Sequence, residues 1–440
     1  MVQNFLPMSS KYIRDPVLGY IEITEVEKNI IDTPPVQRLR RIKQLSVSDI
    51  AYPGGTHSRF SHAVGTMKLA GEIADSLKKS VDISEEDWQL VRLAGLLHDV
   101  GHGPFSHSSE SVFSSELGMS HEDLGEKIIK DSSLASEIEN QGYDPDELAE
   151  LIFGEPSIEK YIKQIITSQF DADKMDYLLR DSYFTGVDYG NIDIQRLIQA
   201  MSIKDGDIAV DSKVISALET FMIARYQMFL NVYYHHTVRA AEIMLREAMD
   251  NAHDLIGLTT FDDIEEYLKW DDSHFISSLR ALDPEEFSGE NQKRAKIAKG
   301  TFQRLEDRDL IKSSYEKEVH LEDEYVAKLL SDDSLRHSKE SEIADKAGVD
   351  PELVMVDVPT LASMPYYPRD IDPEEVPIYK VNVNGEKEKI SLFEHSQFVN
   401  VLSGYVDLIR VFTTEDHRED VGKVSRKVFK SLPFSAQLSM

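Results

Sequence analysis

The stretch RLAGLLHDVGHGPFSH, residues 92–107, decides how the chain is read. Its first half continues an apolar helical pattern that begins after Ser84, whose place before EEDW is a helix-capping signal. Its second half breaks that pattern with two glycines and a proline, so a helix ends here on a loop. His98 and Asp99 fall at the junction, an imidazole and a carboxylate at the edge of a core. A carboxylate in such a place is costly unless a cation compensates it. A metal ion is the simplest such cation, and this ligand pair suits Fe, Mn, Zn, Co or Ni. The plainer alternative is an aspartate capping a helix beside a hydrogen-bonded histidine, and the pair alone favours that alternative. The surroundings add weight to the metal. Six of the 14 histidines (57, 62, 98, 102, 107 and 121) lie within 57–121, where even scatter would place about two.

Outward from this stretch the pattern is mostly helical. YIRDPVLGYIEIT reads as a short hairpin, and TPPVQRLRRIKQL as a helix with Thr33 as cap and Pro34 and Pro35 in its first turn. Helical spacing recurs over 62–80, 85–98, 121–140, 145–153, 157–182, 192–201 and 213–256. SIKDGDIAV is a hairpin around Asp205-Gly206. Helical pieces are expected to continue to about residue 330, ahead of the charged stretch SDDSLRHSKESEIADKAG. YYPRDIDPEEVP reads as a linker, IYKVNVNGEKEKISLF as a hairpin around Asn384-Gly385, and 395–411 and 417–431 as closing helices. The fold class is mostly α with a few short β-hairpins.

With 440 residues, 41% hydrophobic and 29% charged, the chain is a globular protein of two or three domains. It has no cysteine, which excludes disulfides, Fe–S clusters, thiolate zinc sites and a cysteine nucleophile. No apolar run approaches about 18 residues, so no membrane partner is expected. The opening MVQNFLPMSSKYIRD lacks a signal-peptide layout, and a cytoplasmic location is the default. A net charge of −31 argues against general nucleic-acid binding. It also disfavours any polyanion unless a local cluster of cations overrides the global field.

Four ordered motifs supply that context: HxRFxH (57–62), HDVGHGPFSH (98–107), HE (121–122) and DADKMDYLLRDSYFTG (171–186). Together they resemble the HD-domain phosphohydrolases, and most closely the branch that cleaves triphosphate from deoxynucleoside triphosphates (dNTPs). The resemblance runs in collinear order from about Lys11 to about Met249, with a weaker echo at LIKSSYEKEV (310–319). It matches the enzyme core alone, with no SAM domain. It implies an N-terminal hairpin and helix over 1–50, a helical phosphohydrolase core over 51–260, and a smaller α+β lobe over 261–440.

The resemblance also implies roles. The metal ligands fall on His62, His98, Asp99 and Asp173; such an ion polarises phosphorus and acidifies a bound water. A second hard cation, Mg²⁺, would accompany the nucleotide. His102, His107 and His121 match histidines around the scissile phosphate. His107 or His121 protonates the leaving oxygen, and Glu110, where close relatives carry Asp, pairs with His121 over a reach longer by one methylene. Arg59, Lys174 and Arg225 match phosphate-holding cations; Gln44, Tyr177 and Asp181 read the sugar; Tyr233 and His235 line the base and sugar pocket. Helical geometry agrees in part. At about 100° per residue Tyr177 lies about 40° and Asp181 about 80° from Asp173, on one face. Lys11, Asp32, Gln37 and Arg40 match residues that bind an activating guanine nucleotide between subunits, and could equally be ordinary surface charges. The family is typically a homo-tetramer. Hydrolysis of a dNTP to deoxynucleoside and triphosphate is thus expected. The alternatives are another nucleotide phosphoester (a monophosphate or cyclic nucleotide) and a non-catalytic nucleotide-sensing scaffold.

Overall fold

The computed structural model describes residues 11–156, 158–319, 333–358, 378–381, 387–390, 395–396 and 407–430. The expected hairpin forms from antiparallel β1 (Lys11–Asp15) and β2 (Gly19–Ile23). Asp15 Oδ1 closes its turn by accepting the backbone N–H groups of Val17 and Leu18 at 2.9 and 2.8 Å. Thr24 and Glu27 make a capping box for α1 (Glu25–Ile31), and the two prolines open α2 (Pro34–Arg38). Then follow α3 (Arg59–Leu77) and α4 (Glu85–Leu97), the latter capped by Ser84, whose Oγ accepts from the Asp87 N–H at 3.0 Å.

Two long helices expected from periodicity are each divided. The 121–140 stretch splits into α6 (His121–Asp131) and α7 (Ser133–Asn140), after α5 (His107–Leu117). Ser132 is extended between them and caps α7 through Leu134 N. Beyond α8 (Pro145–Phe153), the 157–182 stretch becomes α9 (Lys160–Gln164) and α10 (Ala172–Thr185). Asp171 divides them: one carboxylate oxygen holds Ser168 N at 2.8 Å and the other caps α10 through Lys174 N at 2.7 Å. Serine and aspartate side chains compete with the helix for backbone donors, which an apolar count does not register.

After α11 (Ile194–Ala200) the expected hairpin appears as β3 (Met201–Lys204) and β4 (Asp207–Asp211). The 213–256 stretch holds α12 (Ile215–Met228), a π-helical turn over Phe229–Tyr233, and α13 (His236–Ala252). Then come α14 (Ile264–Tyr267), α15 (Asp272–Ala281) and α16 (Gly289–Glu306).

The C-terminal region departs most from expectation. Lys312–Val319 is a strand, β5, where helical pieces were expected. Past α17 (Asp333–Ala347) and β6 (Met355–Asp357), the end of the expected 395–411 helix is instead a strand, β9 (Asp407–Thr413), and residues 397–406 lie outside the described residues. β9 lies between β5 and β6 in an antiparallel sheet, with Leu408, Ile409, Val411 and Phe412 all buried. A central strand covered on both faces shows a continuous apolar run, which periodicity alone does not tell from a helix. β7 (Ile378–Val381) and β8 (Lys387–Ile390) pair antiparallel as expected. Their Asn384-Gly385 turn and the 366–377 linker lie outside the described residues. β7 also pairs in parallel with β4, and α18 (Arg418–Lys430) closes the chain as expected.

One large apolar core joins α3, α4 and α10 with residues from the N-terminal hairpin through α16; a smaller one joins α17, α18 and the β5–β9–β6 sheet. Two buried arginines fasten the smaller lobe to the larger. Arg239 of α13 makes a two-point pair with Asp357 (2.7 and 3.1 Å), and Arg410 of β9 donates to the Tyr234 carbonyl. The fold is thus a helical core with short β-hairpins and a smaller α+β lobe. Among the described residues no helix is long and apolar enough to cross a membrane.

Candidate active site

His62 stands in the first turn of α3, His98 and Asp99 at the end of α4, and Asp173 in the first turn of α10. Their ligand atoms converge. His62 Nε2 lies 3.3 Å from His98 Nε2, 3.6 Å from Asp99 Oδ2 and 3.1 Å from Asp173 Oδ1. His98 Nε2 lies 3.4 Å from Asp99 Oδ1 and 3.6 Å from Asp173 Oδ1. Atoms that share one ion at about 2.0–2.2 Å stand about 3–3.5 Å from each other. The opposite ring nitrogens fix the tautomers: His62 Nδ1 donates to Asp176 (2.8 Å) and His98 Nδ1 to the Gly95 carbonyl (2.9 Å). Both Nε2 atoms therefore face each other and two carboxylates, an arrangement that a shared cation, a proton or a metal ion, satisfies. Asp173 Oδ1 is buried without a well-formed hydrogen bond, as an unfilled ligand atom would be. These residues fit a divalent ion.

The electrostatics say the same. Burial alone would lower the His62 pKa, but hydrogen bonds to Asp173 and Asp176 push it up to about 10. Burial would raise the Asp99 carboxyl, yet the Arg59 guanidinium, with His98 and His102, holds it well below the usual carboxylate range. Arg59 is fully buried, donates to Asp99 through Nη1, and is steadied by Ser106 Oγ at 2.7 Å.

The loop between α4 and α5 carries the next group. Phe105 and Ser106 both take left-handed backbone angles (φ 55° and 54°), a strain tolerated where the surroundings fix it. Asp272 fixes it from α15: its carboxylate accepts Phe105 N (2.7 Å) and Lys43 N (2.9 Å), and burial pushes its pKa up to about 6. Gly101 lets α6 close in, since a Cβ there would stand 2.0 Å from the His121 carbonyl oxygen. His121 consequently stacks on His102 with ring centres 4.1 Å apart, and His107 meets His102 edge-on at 5.2 Å. Glu110 spans the extra methylene without difficulty, reaching His121 Nδ1 at 2.5 Å and His107 Nδ1 at 3.2 Å. Burial lowers the His107 pKa; for His121 burial is outweighed by Glu110, and the pKa rises.

The nucleotide set is largely brought together. Tyr233, in the π-helical turn, donates to Asp181 Oδ2 at 2.6 Å, and its ring lies 6.5 Å from that of Tyr177. Burial raises the Tyr177 phenol, which also senses Arg225, Asp173 and Asp181. Gln44 is buried and its backbone N–H donates to the His57 carbonyl. Lys174 is paired with Asp171 at 2.8 Å. His235 stands apart: it caps α13 and its ring faces Tyr52 and His236. The effector set is looser. Arg40 donates to Gln37 (2.9 Å) and covers the Phe60 ring, Asp32 pairs with Lys28, and Lys11 pairs with Glu25.

Sequence reasoning gave no role to Asp176, Arg180, His57, Ser106 or Asp272. Asp176 and Arg180 follow Asp173 by three and seven positions on α10, spacing that places them on its face and could have marked them. His57 binds Asp181 Oδ1 through Nε2 (2.8 Å) and stacks on Phe184. Asp272 carries no local signal, because its partners lie more than 160 residues away.

Comparison with known proteins agrees with this geometry. The HD domain model matches residues 59–181, and the HD associated region model matches residues 192–437, more than half of the chain. The chain belongs to the HD-domain phosphohydrolases. An uncharacterized Bacillus subtilis protein, YwfO, is 30% identical over 90% of this chain and 89% of its own length. A crystal structure of a phosphohydrolase from Bacteroides thetaiotaomicron, 26% identical, superposes with a TM-score of 0.72 over 92% of this chain and 100% of its own. The human deoxynucleoside triphosphate triphosphohydrolase SAMHD1 is 30% identical over 69% of this chain, which spans 54% of that enzyme. As an HD phosphohydrolase the chain takes a divalent metal at the His62, His98, Asp99 cluster, whose ligand atoms lie within 4.8 Å of one another.

Proposed function

We propose that the protein hydrolyses a deoxynucleoside triphosphate to deoxynucleoside and inorganic triphosphate. One observation supports this most. Among the described residues, the buried polar atoms without a well-formed hydrogen bond include Asp173 Oδ1, Arg59 Nη2, His102 Nδ1 and Gln44 Oε1. They belong in turn to the metal, phosphate, proton-transfer and sugar sets, as a single ligand spanning all four requires. An ion held by His62, His98, Asp99 and Asp173 supplies Lewis acidity at phosphorus and a more acidic water. Fe, Mn, Zn, Co and Ni all suit that donor set, and Mg²⁺ accompanies the nucleotide.

The chain's own residues do the rest. Arg59, Lys174 and Arg225 hold the triphosphate as a local cationic pocket in an acidic protein. Gln44, Tyr177, Asp181 and Tyr233 hold the deoxyribose. Water oxygen bonds to the α-phosphorus and gives up a proton to solvent, while the bond from phosphorus to the 5′-oxygen breaks and that oxygen takes a proton from the protein. Glu110 supports His121 as the proton donor to that leaving oxygen, because the carboxylate keeps its imidazole protonated; His107, lowered by burial, stays neutral beside it. A cytoplasmic location is part of the same reading. A guanine nucleotide effector at Lys11, Asp32, Gln37 and Arg40, and a homo-tetramer, belong to the same reading.

The test is incubation with each dNTP plus Mn²⁺ or Mg²⁺, with products resolved by ion-exchange chromatography. Nucleoside plus triphosphate is expected. Monophosphate plus pyrophosphate, or free phosphate, contradicts the reading.

A further inference from the structure

A buried chain of charges runs from the metal cluster to the N-terminal hairpin. Asp176 Oδ2 accepts from His62 Nδ1 at 2.8 Å and also from Arg180 Nε at 2.8 Å. Arg180 completes a two-point contact through Nη2 to Asp176 Oδ1 (2.9 Å), and its remaining amino nitrogen, Nη1, donates to Asp15 Oδ2 at 2.7 Å. His62, Asp176 and Arg180 have no solvent exposure, and Asp15 retains 6%. Space for the chain is made by Gly65, one turn after His62 on α3. A Cβ there would lie 1.9 Å from Asp176 Oδ1 and 2.4 Å from Arg180 Nη2.

We propose that Asp15, at the end of β1, is a remote positioning residue for the metal centre, acting on His62 through Arg180 and Asp176. This rests on the reading of the His62 cluster as a metal site. A ring nitrogen donates best to a metal when its opposite N–H is held by a strong acceptor, and such outer partners typically set metal affinity by about 10–100-fold. Asp176 is that acceptor. Its strength depends on how much of the Arg180 charge falls on it alone. Asp15 draws part of that charge away, so Asp176 stays a strong acceptor and His62 a strong ligand. Two carboxylates against one guanidinium also leave a net negative charge in the interior, which favours a cation at His62.

Asp15→Asn is nearly isosteric and keeps one acceptor oxygen for the Val17 and Leu18 turn, while it removes the charge that faces Arg180. The experiment is Mn²⁺ titration of the full chain without nucleotide, read by the EPR signal of the free ion, with thermal unfolding of the metal-free protein alongside. Asp15→Asn should weaken Mn²⁺ binding about 3–10-fold and Asp176→Asn about 10–100-fold. Tyr20→Ala, which trims the exposed side of the same hairpin, should leave Mn²⁺ affinity unchanged. If Asp15→Asn does not fold, Arg180→Lys serves instead: it keeps the charge but cannot span both carboxylates, and it should also weaken Mn²⁺. Wild-type affinity in whichever of the two variants folds overturns the relay. Loss of affinity equal in Tyr20→Ala and Asp15→Asn overturns it as well, because hairpin integrity alone would then explain the effect. If the wild type binds no Mn²⁺, the metal reading fails, and the relay fails with it. The readout involves no nucleotide and is separate from the product test of the proposed reaction.

Discussion

The His62–Asp173 cluster and the Lys11–Arg40 patch both gather charged residues, yet they differ in what those charges lack. In the cluster, two imidazole Nε2 atoms and two carboxylates converge on one point at the edge of the core, an arrangement that only a cation shared among them, a proton or a metal ion, satisfies. In the patch, Lys11 already has Glu25, Asp32 has Lys28, and Arg40 has Gln37 and the Phe60 ring. Buried groups without partners demand a ligand, whereas paired groups near solvent are worth about 0–1 kcal/mol and demand none. Geometry therefore argues strongly for the metal centre, and the effector patch rests on resemblance.

The largest effect expected from this contrast is at the cluster. His98→Ala or Asp99→Ala should abolish turnover and strip the transition metal, measured by elemental analysis beside dNTP hydrolysis. Near-normal metal content and activity would break the contrast at its strong end. Arg225→Ala should leave the metal in place and weaken triphosphate binding by about 1.5–3 kcal/mol, roughly tenfold to 150-fold in KM. An unchanged KM and kcat would remove Arg225 from the pocket.

A smaller effect concerns pH. Glu110 lifts the His121 pKa, so activity that needs protonated His121 persists above the ordinary histidine range and falls as pH passes the raised value. Glu110→Gln removes the lifting charge, and the basic limb of the kcat profile should move to lower pH. An unmoved limb would take His121 out of the proton-donor role. The smallest structural effect should come from Asp32→Ala, within about 0.5 kcal/mol of wild-type stability and with full metal content. Its test is dNTP hydrolysis with and without GTP or dGTP, beside light scattering. Equal response to the guanine nucleotide in wild type and variant would leave the patch as surface charge.

How much of this was legible in the sequence follows from the range of the forces. The hairpin at 11–23, the Ser84 cap and the helix ending at His98 are set by neighbours a few residues apart, and they read correctly. Ser132 and Asp171 broke expected helices because a side chain competed for backbone donors. β5 and β9 were misread because their partners lie about 90 residues apart and only pairing makes them strands. In the site, His62, His98 and Asp99, which cluster as a metal site requires, were legible as motif residues, and Glu110 reached His121 despite its unusual length. His235 is placed at the base and sugar pocket by resemblance alone, and its ring packs against Tyr52 at the turn into α13. Asp272, which holds the loop before His107 from α15, had no local pattern to announce it.

The central claim is that water adds to the α-phosphorus while the 5′-oxygen leaves on the nucleoside. Turnover of a dNTP in water enriched in oxygen-18, with products weighed by mass spectrometry, tests it most directly. One heavy oxygen should appear in the triphosphate and none in the deoxynucleoside. Label in the nucleoside 5′-hydroxyl, or label divided between a monophosphate and pyrophosphate, would contradict the account.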